Sequence, residues 1–272
     1  MRALCLLLTL SAPMPLGVLS AQADSVRTRP PAIVTVGDLG WLAGAGLLAG
    51  AAYVADAPVR DAVRGRGPQS NQVLRVASDV GYVYGGGAAV AVGAVLWTGG
   101  LLTKHETVAA SGLRALEAVA VSGLITKAVK GVTGRARPRV APHQRDEFDL
   151  GGGWGGVDGD WASLPSGHAT AAFAFAAAVT GEVARRAPEH RRSVAIVTYG
   201  LGAVTAYSRL HDDAHWLSDV TLGAGIGMVS GWAVTRWHAT RPDNWVDRLL
   251  LRPDVSRSAD GGVRLGLVMA TR

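Results

Sequence analysis

An uncharged run from Gly81 to Leu102 constrains this chain more than any other feature of its sequence. About 20 consecutive apolar residues cross the hydrocarbon core of a bilayer as a helix, and this run meets that length. A second uncharged run, Gly40 to Ala55, is rich in glycine, alanine and leucine but is marginal in length. Glycine and alanine are common where helices pack closely in membranes. The two runs therefore favour closely packed helices.

Four further segments have the pattern of helices, which predicts an all-α bundle of about six helices joined by polar loops. The first of the four has a helical period but carries charges, and the other three are apolar but short for a membrane span, although tilt accommodates such lengths. The four segments are Thr107–Val132, Ala169–Ala184, Val194–Tyr207 and Val220–Thr235.

Two arrangements of these helices fit the sequence. One is a multi-pass membrane bundle, which the Gly81–Leu102 run favours. The other is a soluble bundle around a Gly/Ala-packed core, which the short later runs favour. Arg114 and Glu117 lie in the middle of a helix, so they indicate either the soluble form or an inward-facing polar pair.

The first residues resemble an export signal. Arg2 supplies the positive start, Ala3–Leu10 an apolar core, and Ala21–Ala23 small residues for cleavage. An uncleaved anchor helix is the alternative, which Pro13 and Pro15 disfavour. The signal predicts an exported protein, either a membrane protein with its active site on the periplasmic or extracellular side or a soluble periplasmic one.

The expected organisation is a signal peptide over residues 1–23, a helical domain over 24–247 and a tail over 248–272. No charged or Pro/Ser-rich linker divides the helical part, so a single domain is expected there. In the tail, the turn residues Ser258–Gly262 separate Leu249–Val255 from the alternating stretch Gly262–Met269. This pattern predicts a short C-terminal β-hairpin.

The formal net charge of +6 suits an anionic substrate or anionic lipid headgroups. The basic residues are scattered and form no aromatic-studded groove or DNA-binding motif, so nucleic acid is not an expected partner. The single cysteine, Cys5, lies inside the predicted signal, so the mature chain is expected to have no disulfide. Nothing in the sequence indicates the oligomeric state.

Three separated segments of the sequence carry cationic or imidazole side chains that could all contact one phosphate. In the first, Lys130 lies in the last turn of a helix, and Gly134 and Pro138 lead the chain out of it. Lys130 and Arg137 can then reach one phosphate, lysine as a point charge and arginine as a planar fork. An ordinary basic helix end beside a solvated loop would have the same sequence.

The second cluster, Pro165–His168, opens a helix. Ser166 is a good N-cap, and the free backbone N–H groups of the first turn favour an anion. Gly167 lets that backbone approach a phosphate closely. His168 stands in the first turn beside the bound group, although a capped helix with an incidental histidine is the alternative.

The third cluster holds a candidate nucleophile. His215 and Asp219 are four residues apart, so on a helix they share a face, and the carboxylate can accept from one ring nitrogen. The other nitrogen is then free to attack phosphorus, and Arg209 adds a fork for the phosphoryl oxygens. His211 has the wrong spacing for this role. A surface contact is the alternative, and the paired carboxylates of a two-metal phosphatase are not evident.

The three motifs, K-x6-R-P, P-S-G-H and S-R-x5-H-x3-D, together resemble the signature of the type 2 phosphatidic acid phosphatase superfamily. That superfamily also holds bacterial non-specific acid phosphatases and vanadium haloperoxidases. The resemblance runs from about Lys130 to Asp219, with every motif position filled. It implies a helical bundle that hydrolyses phosphomonoesters through a phosphohistidine without a metal or other cofactor. The substrate that it implies is a soluble phosphate ester, a lipid phosphate or a lipid pyrophosphate.

The resemblance also implies roles for the matching residues. His215 attacks phosphorus, Asp219 orients the imidazole of His215, and His168 protonates the departing alkoxide. Arg135 lies between the fixed lysine and arginine of the first motif and is a candidate for a supporting position around the site. The expected phosphate-binding residues are Lys130, Arg137, Ser166, Gly167 and Arg209.

Two other functions remain open. A vanadate-dependent haloperoxidase would bind vanadate where phosphate binds, although the chain is short for that group. A membrane binding or scaffold protein without catalysis is disfavoured by the intact histidines and aspartate. Arg139–Ser163, rich in glycine and aspartate, either covers the site or is a plain connection.

Overall fold

The computed structural model describes residues 32–142, 144–155 and 159–251, together with the backbone of two short strands at 254–257 and 263–266. The predicted signal peptide, 1–23, lies outside the described residues and stays a prediction. The described helices are α1 (Val36–Arg64), α2 (Arg66–Ser70), α3 (Gln72–Val83), α4 (Ala89–Leu102), α5 (Glu106–Thr133), α6 (Gly167–Arg186), α7 (Arg191–His211), α8 (Leu217–Ala239) and α9 (Trp245–Leu250).

Six long helical rods form the bundle in the described part of the chain, because α3 and α4 are joined by a π-helical turn, Tyr84–Ala88, in which the backbone of Gly87 departs from helical geometry. The helix α6 packs against α5, α7 and α8 and is buried along most of its length. The strands β1 (Asp254–Arg257) and β2 (Val263–Gly266) pair antiparallel. The predicted all-α bundle of about six helices with a short C-terminal hairpin is confirmed.

The helices α6 and α8 approach each other backbone to backbone. A Cβ atom at Gly227 would lie 2.4 Å from the carbonyl oxygen of Thr170, and one at Gly231 would lie 2.6 Å from the Cβ of Ala177. The Ser166 amide donates to the carbonyl of Asp219 at 3.0 Å. This close contact sets the N-termini of the two helices side by side, where the second and third motifs lie.

Four of the described helices are long and apolar enough to cross a membrane, judged by length and composition. This finding favours the membrane bundle over the soluble one, the two arrangements that the sequence left open. The four candidate spans are Val36–Arg64, Gln72–Leu102, Glu106–Thr133 and Leu217–Ala239.

The two charges in the middle of α5 face inward, as one of the sequence alternatives had them. Arg114 is fully buried and donates from Nη2 to Asp247 of α9 at 2.6 Å. Glu117 contacts Nε2 of His238 at 2.5 Å, so the two charges pair with other helices and not with each other. These contacts tie α9 to the bundle at the end opposite the three motifs.

Candidate active site

All three sequence motifs meet at one cavity of about 530 Å³. The cavity lies at the end of the bundle where α5 ends and where α6 and α8 begin. Two of the predicted site residues, Ser166 and Asp219, are buried behind its wall and do not line it. The motif residues that line it are Lys130, Arg137, Gly167, His168, Arg209 and His215.

The first motif is positioned by the end of α5. Gly134 caps the helix with φ +53°, and its amide donates to the carbonyl of Lys130 at 3.0 Å. A Cβ at Gly134 would lie 1.7 Å from the carbonyl oxygen of Asp149, so only glycine fits this turn. The turn brings Arg137 to the cavity, where its Nε donates to the carbonyl of Gly159 and its Nη1 to that of Ala214, both at 3.0 Å.

The segment between the first two motifs is part of the site. Lys130 Nζ donates to the carbonyl of Ala162, and Ser163 and Gly159 supply further carbonyls to the cavity residues. Trp154 lies against the α5 backbone, since a Cβ at Gly131 would fall 2.3 Å from its indole. The connection therefore supports the motif side chains instead of forming only a surface loop.

The second motif begins α6 with Ser166 at the N-cap, as predicted. Its hydroxyl is buried but makes no hydrogen bond to any described residue, so the cap is formed by backbone geometry alone. His168 follows in the first turn and stacks on the ring of Tyr82, with 5.4 Å between the ring centroids. The first backbone amides of α6 and the His168 ring thus border the same cavity.

The third motif differs from the sequence expectation in one contact. The Nδ1 of His215 lies 2.7 Å from the backbone carbonyl oxygen of Ser163 and 3.8 Å from Oδ2 of Asp219. Asp219 therefore does not accept directly from the imidazole. The reason is the start of α8: His215 precedes the helix, whereas Asp219 lies in its first turn and accepts from the amide of Trp216 at 2.9 Å, closing the N-terminus.

The contact with Ser163 fixes the tautomer of His215. A carbonyl oxygen only accepts, so Nδ1 carries the proton and Nε2 keeps its lone pair. That lone pair accepts from Nη1 of Arg137 at 3.3 Å. Burial lowers the pKa of His215 well below its usual value, and the positive charges of Lys130, Arg137 and Arg209 lower it further. A neutral imidazole therefore faces a cavity lined by cationic side chains.

Asp219 is held by three groups. Its Oδ2 accepts from the hydroxyl of Ser163 at 2.5 Å as well as from the Trp216 amide. Its Oδ1 accepts from Nη1 of Arg135 at 2.6 Å. Ser163 thereby links Asp219 to His215, with its hydroxyl on the carboxylate and its carbonyl on the ring. Arg135 thus lies beside the site and outside the cavity, in the supporting position expected for it.

Sequence reasoning missed Tyr82 of α3. Its ring packs against His168, and the guanidinium carbon of Arg209 lies 5.2 Å from the ring centroid. The adjoining π-helical turn contributes Gly85 and Gly86, and a Cβ at Gly86 would lie 3.1 Å from Nε2 of His168. Three consecutive glycines within the uncharged run were the only signal, and π-turns often mark functional positions.

His211 does not line this cavity. Its Nδ1 lies 3.4 Å from Oδ1 of Asp212, and its ring packs beside Tyr207. Its backbone carbonyl accepts from Arg64 of α1 at 2.9 Å. This position is consistent with the spacing of His211 in the sequence, which excluded it as the nucleophile.

A helical bundle that ends in a cavity of cations and two histidines defines a class of phosphate-handling membrane proteins. The family model described as the PAP2 superfamily matches residues 111–243, which contain all three motifs. The resemblance to this superfamily that the three motifs indicated is confirmed.

Two known proteins are similar to parts of the chain. A lipid A 1-phosphatase from Porphyromonas gingivalis is 36% identical over 69 residues, which are 25% of this chain and 15% of that protein. The crystal structure of a transmembrane PAP2-type phosphatidylglycerolphosphate phosphatase from Bacillus subtilis matches with a TM-score of 0.52 and 22% identity. That match covers 72% of this chain and 93% of the other, and it shows the shared fold.

Proposed function

We propose that this protein is a phosphoric ester hydrolase that removes a phosphate from a membrane lipid through a phosphohistidine intermediate. The observation that carries the proposal is the neutral His215, whose Nε2 lone pair borders a cavity lined by Lys130, Arg137 and Arg209. A nucleophile beside preorganised cations is the arrangement that phosphoryl transfer requires.

In the first step, Nε2 of His215 forms a bond to phosphorus while the bond to the ester oxygen breaks. His168 gives its proton to the departing alkoxide. Lys130, Arg137 and Arg209 stabilise the charge on the phosphoryl oxygens, and the backbone amides of Gly167 and His168 at the α6 terminus assist. Ser166, the N-cap of α6, is buried behind the cavity wall and supports the first turn of that helix.

In the second step, water attacks the phosphohistidine and His168 accepts the proton of the water. The N–P bond breaks, inorganic phosphate leaves, and His215 returns to its neutral form. No metal takes part in this scheme. It is supported by the lysine, arginine and histidine side chains that line the cavity.

A lipid substrate is supported by the four apolar helices and by the lipid phosphates in the names of both similar proteins. A lipid pyrophosphate fits the same cavity chemistry. We also propose that the cavity opens on the periplasmic or extracellular side, on the strength of the export signal predicted for residues 1–23.

The test is turnover by the purified, detergent-solubilised protein on p-nitrophenyl phosphate and on phosphatidate, with a chelator present. The expected result is phosphate release by the parent protein and a loss of at least about 10³-fold in His215→Ala. His211→Ala, which changes a histidine outside the cavity, is the matched control and should keep the parent rate. Equal rates in the parent and His215→Ala would refute the nucleophile. Halide oxidation that requires added vanadate would support a peroxidase instead.

A further inference from the structure

Asp56 of α1 lies outside the part of the chain that the family model matches, yet it is fully buried beside the candidate site. Its Oδ2 accepts from Nη2 of Arg135 at 2.8 Å and from the hydroxyl of Ser218 at 2.7 Å. Its Oδ1 accepts from the amide of Ser218 at 2.8 Å. One carboxylate from α1 thus binds both the motif loop and the start of α8.

Arg135 carries this connection to Asp219. One guanidinium nitrogen donates to Asp56 and the other to Oδ1 of Asp219 at 2.6 Å, with only 1% of the Arg135 side chain exposed. The rings of Tyr53, Phe148 and Trp216 lie within 5.6 Å of the guanidinium carbon and shield it. A planar fork between two carboxylates fixes the orientation of both.

Buried charges of this kind are weak evidence for a stabilising role, because removing them from water costs free energy that their attraction must repay. The arrangement of these buried charges also connects Asp56 to His215. Asp219 bonds the hydroxyl of Ser163, and the carbonyl of Ser163 accepts from His215. An unbroken chain of contacts therefore runs from Asp56 through Arg135, Asp219 and Ser163 to the imidazole.

We propose that Asp56 and Arg135 are positioning residues for the reaction, which hold Asp219 and Ser163 so that Nε2 of His215 faces the phosphate. This inference rests on the proposed function. The role of Asp56 makes α1 part of the active site, although no residue of α1 lines the cavity. The pair acts on the attack step and not on phosphate binding, because neither residue borders the cavity.

The experiment compares kcat and KM on p-nitrophenyl phosphate for the parent, Asp56→Asn, Asp219→Asn and the double variant. Asp56→Asn is expected to lower kcat by about tenfold and to leave KM within about twofold. If the pair acts through Asp219, the double variant should have the kcat of Asp219→Asn alone, within about twofold. Parent kcat in Asp56→Asn, or losses that multiply in the double variant, would overturn the inference.

Asp38→Asn is the matched control, because Asp38 is also a buried aspartate of α1 and pairs with Arg236 of α8 at the opposite end of the bundle. It should keep the parent kcat even if it lowers the unfolding temperature. If Asp56→Asn does not fold, Asp56→Glu retains the buried charge while displacing the carboxylate, and the same criteria apply. A parent protein without turnover would instead refute the proposed function.

Discussion

The imidazole of His215 is held by the backbone carbonyl of Ser163, which lies 2.7 Å from Nδ1, and not by the carboxylate four residues further along the chain. The residue that orients the ring thus comes from the segment before α6, although the ring itself stands before α8. The hydroxyl of the same serine donates to Asp219. Ser163 is therefore the joint between the carboxylate and the imidazole.

Replacing Ser163 by alanine tests this joint. The carbonyl remains, but Asp219 loses one of its donors, so we expect the ring to be less firmly held and kcat to fall by about tenfold. Asp219 keeps the Trp216 amide and Arg135, so the free energy of unfolding should fall by only about 1 kcal/mol. Steady-state kinetics and thermal unfolding in detergent measure the two effects.

Ser166→Ala is the stability control for that variant. The Ser166 hydroxyl is buried without a hydrogen-bond partner among the described residues, so its loss should change the unfolding free energy by less than about 0.5 kcal/mol. A larger stability loss in Ser166→Ala than in Ser163→Ala would contradict the hydrogen-bond assignment at these two serines.

The pKa of His215 predicts a pH dependence. Burial and three neighbouring cations lower this pKa well below 6.5, so the ring should stay neutral in mild acid. Selective labelling of histidine and NMR in detergent micelles would follow the imidazole, and His215→Asn would identify its signal. A signal that titrates at pH 6.5 or above would contradict the buried, cation-lined setting.

The same shift affects stability with a definite sign. Below about pH 6.5 the unfolded chain binds a proton at this residue that the folded protein rejects. The contribution of His215 to stability is therefore complete above that pH and is lost as the pH falls toward the folded pKa. His215→Asn should lack this part of the pH dependence, which unfolding measurements between pH 4 and 8 would reveal.

Tyr82 gives a further prediction. Its contacts with His168 and Arg209 use the ring and not the hydroxyl. Tyr82→Phe should therefore keep kcat/KM within about twofold, whereas Tyr82→Ala should lower it by about fivefold, since a partly exposed cation–π contact contributes about 0.5–1 kcal/mol. Equal effects of the two substitutions would show that the ring contacts are not what positions these side chains.

The contact between α6 and α8 gives a prediction about stability. Gly227→Ala places a Cβ 2.4 Å from the carbonyl oxygen of Thr170, so the helices must separate and the unfolding free energy should fall by about 1–3 kcal/mol. Gly44→Ala in α1, where nothing lies within 4 Å of the added Cβ, should cause no loss. Thermal unfolding of both variants in one detergent makes the comparison.

The sequence predicted the convergence of Lys130, His168 and His215 because their motifs have fixed spacings that a known superfamily shares. It did not predict the partner of the imidazole, because that depends on whether α8 begins before or after His215, and a boundary of two residues decides it. Tyr82 and Asp56 could not be predicted, because they come from distant helices whose packing no local pattern specifies.

The π-helical turn Tyr84–Ala88 interrupts a rod that would otherwise be a regular α-helix from Gln72 to Leu102. Each residue of an α-helix advances the chain by about 100° around the axis. A π-turn winds the chain through a smaller angle per residue, so a regular α-helix with the same number of residues would rotate α3 by about that angle relative to α4. That rotation would carry Tyr82 away from the histidine and arginine it touches. The wider turn is thus what directs the first half of this rod toward the phosphate cavity.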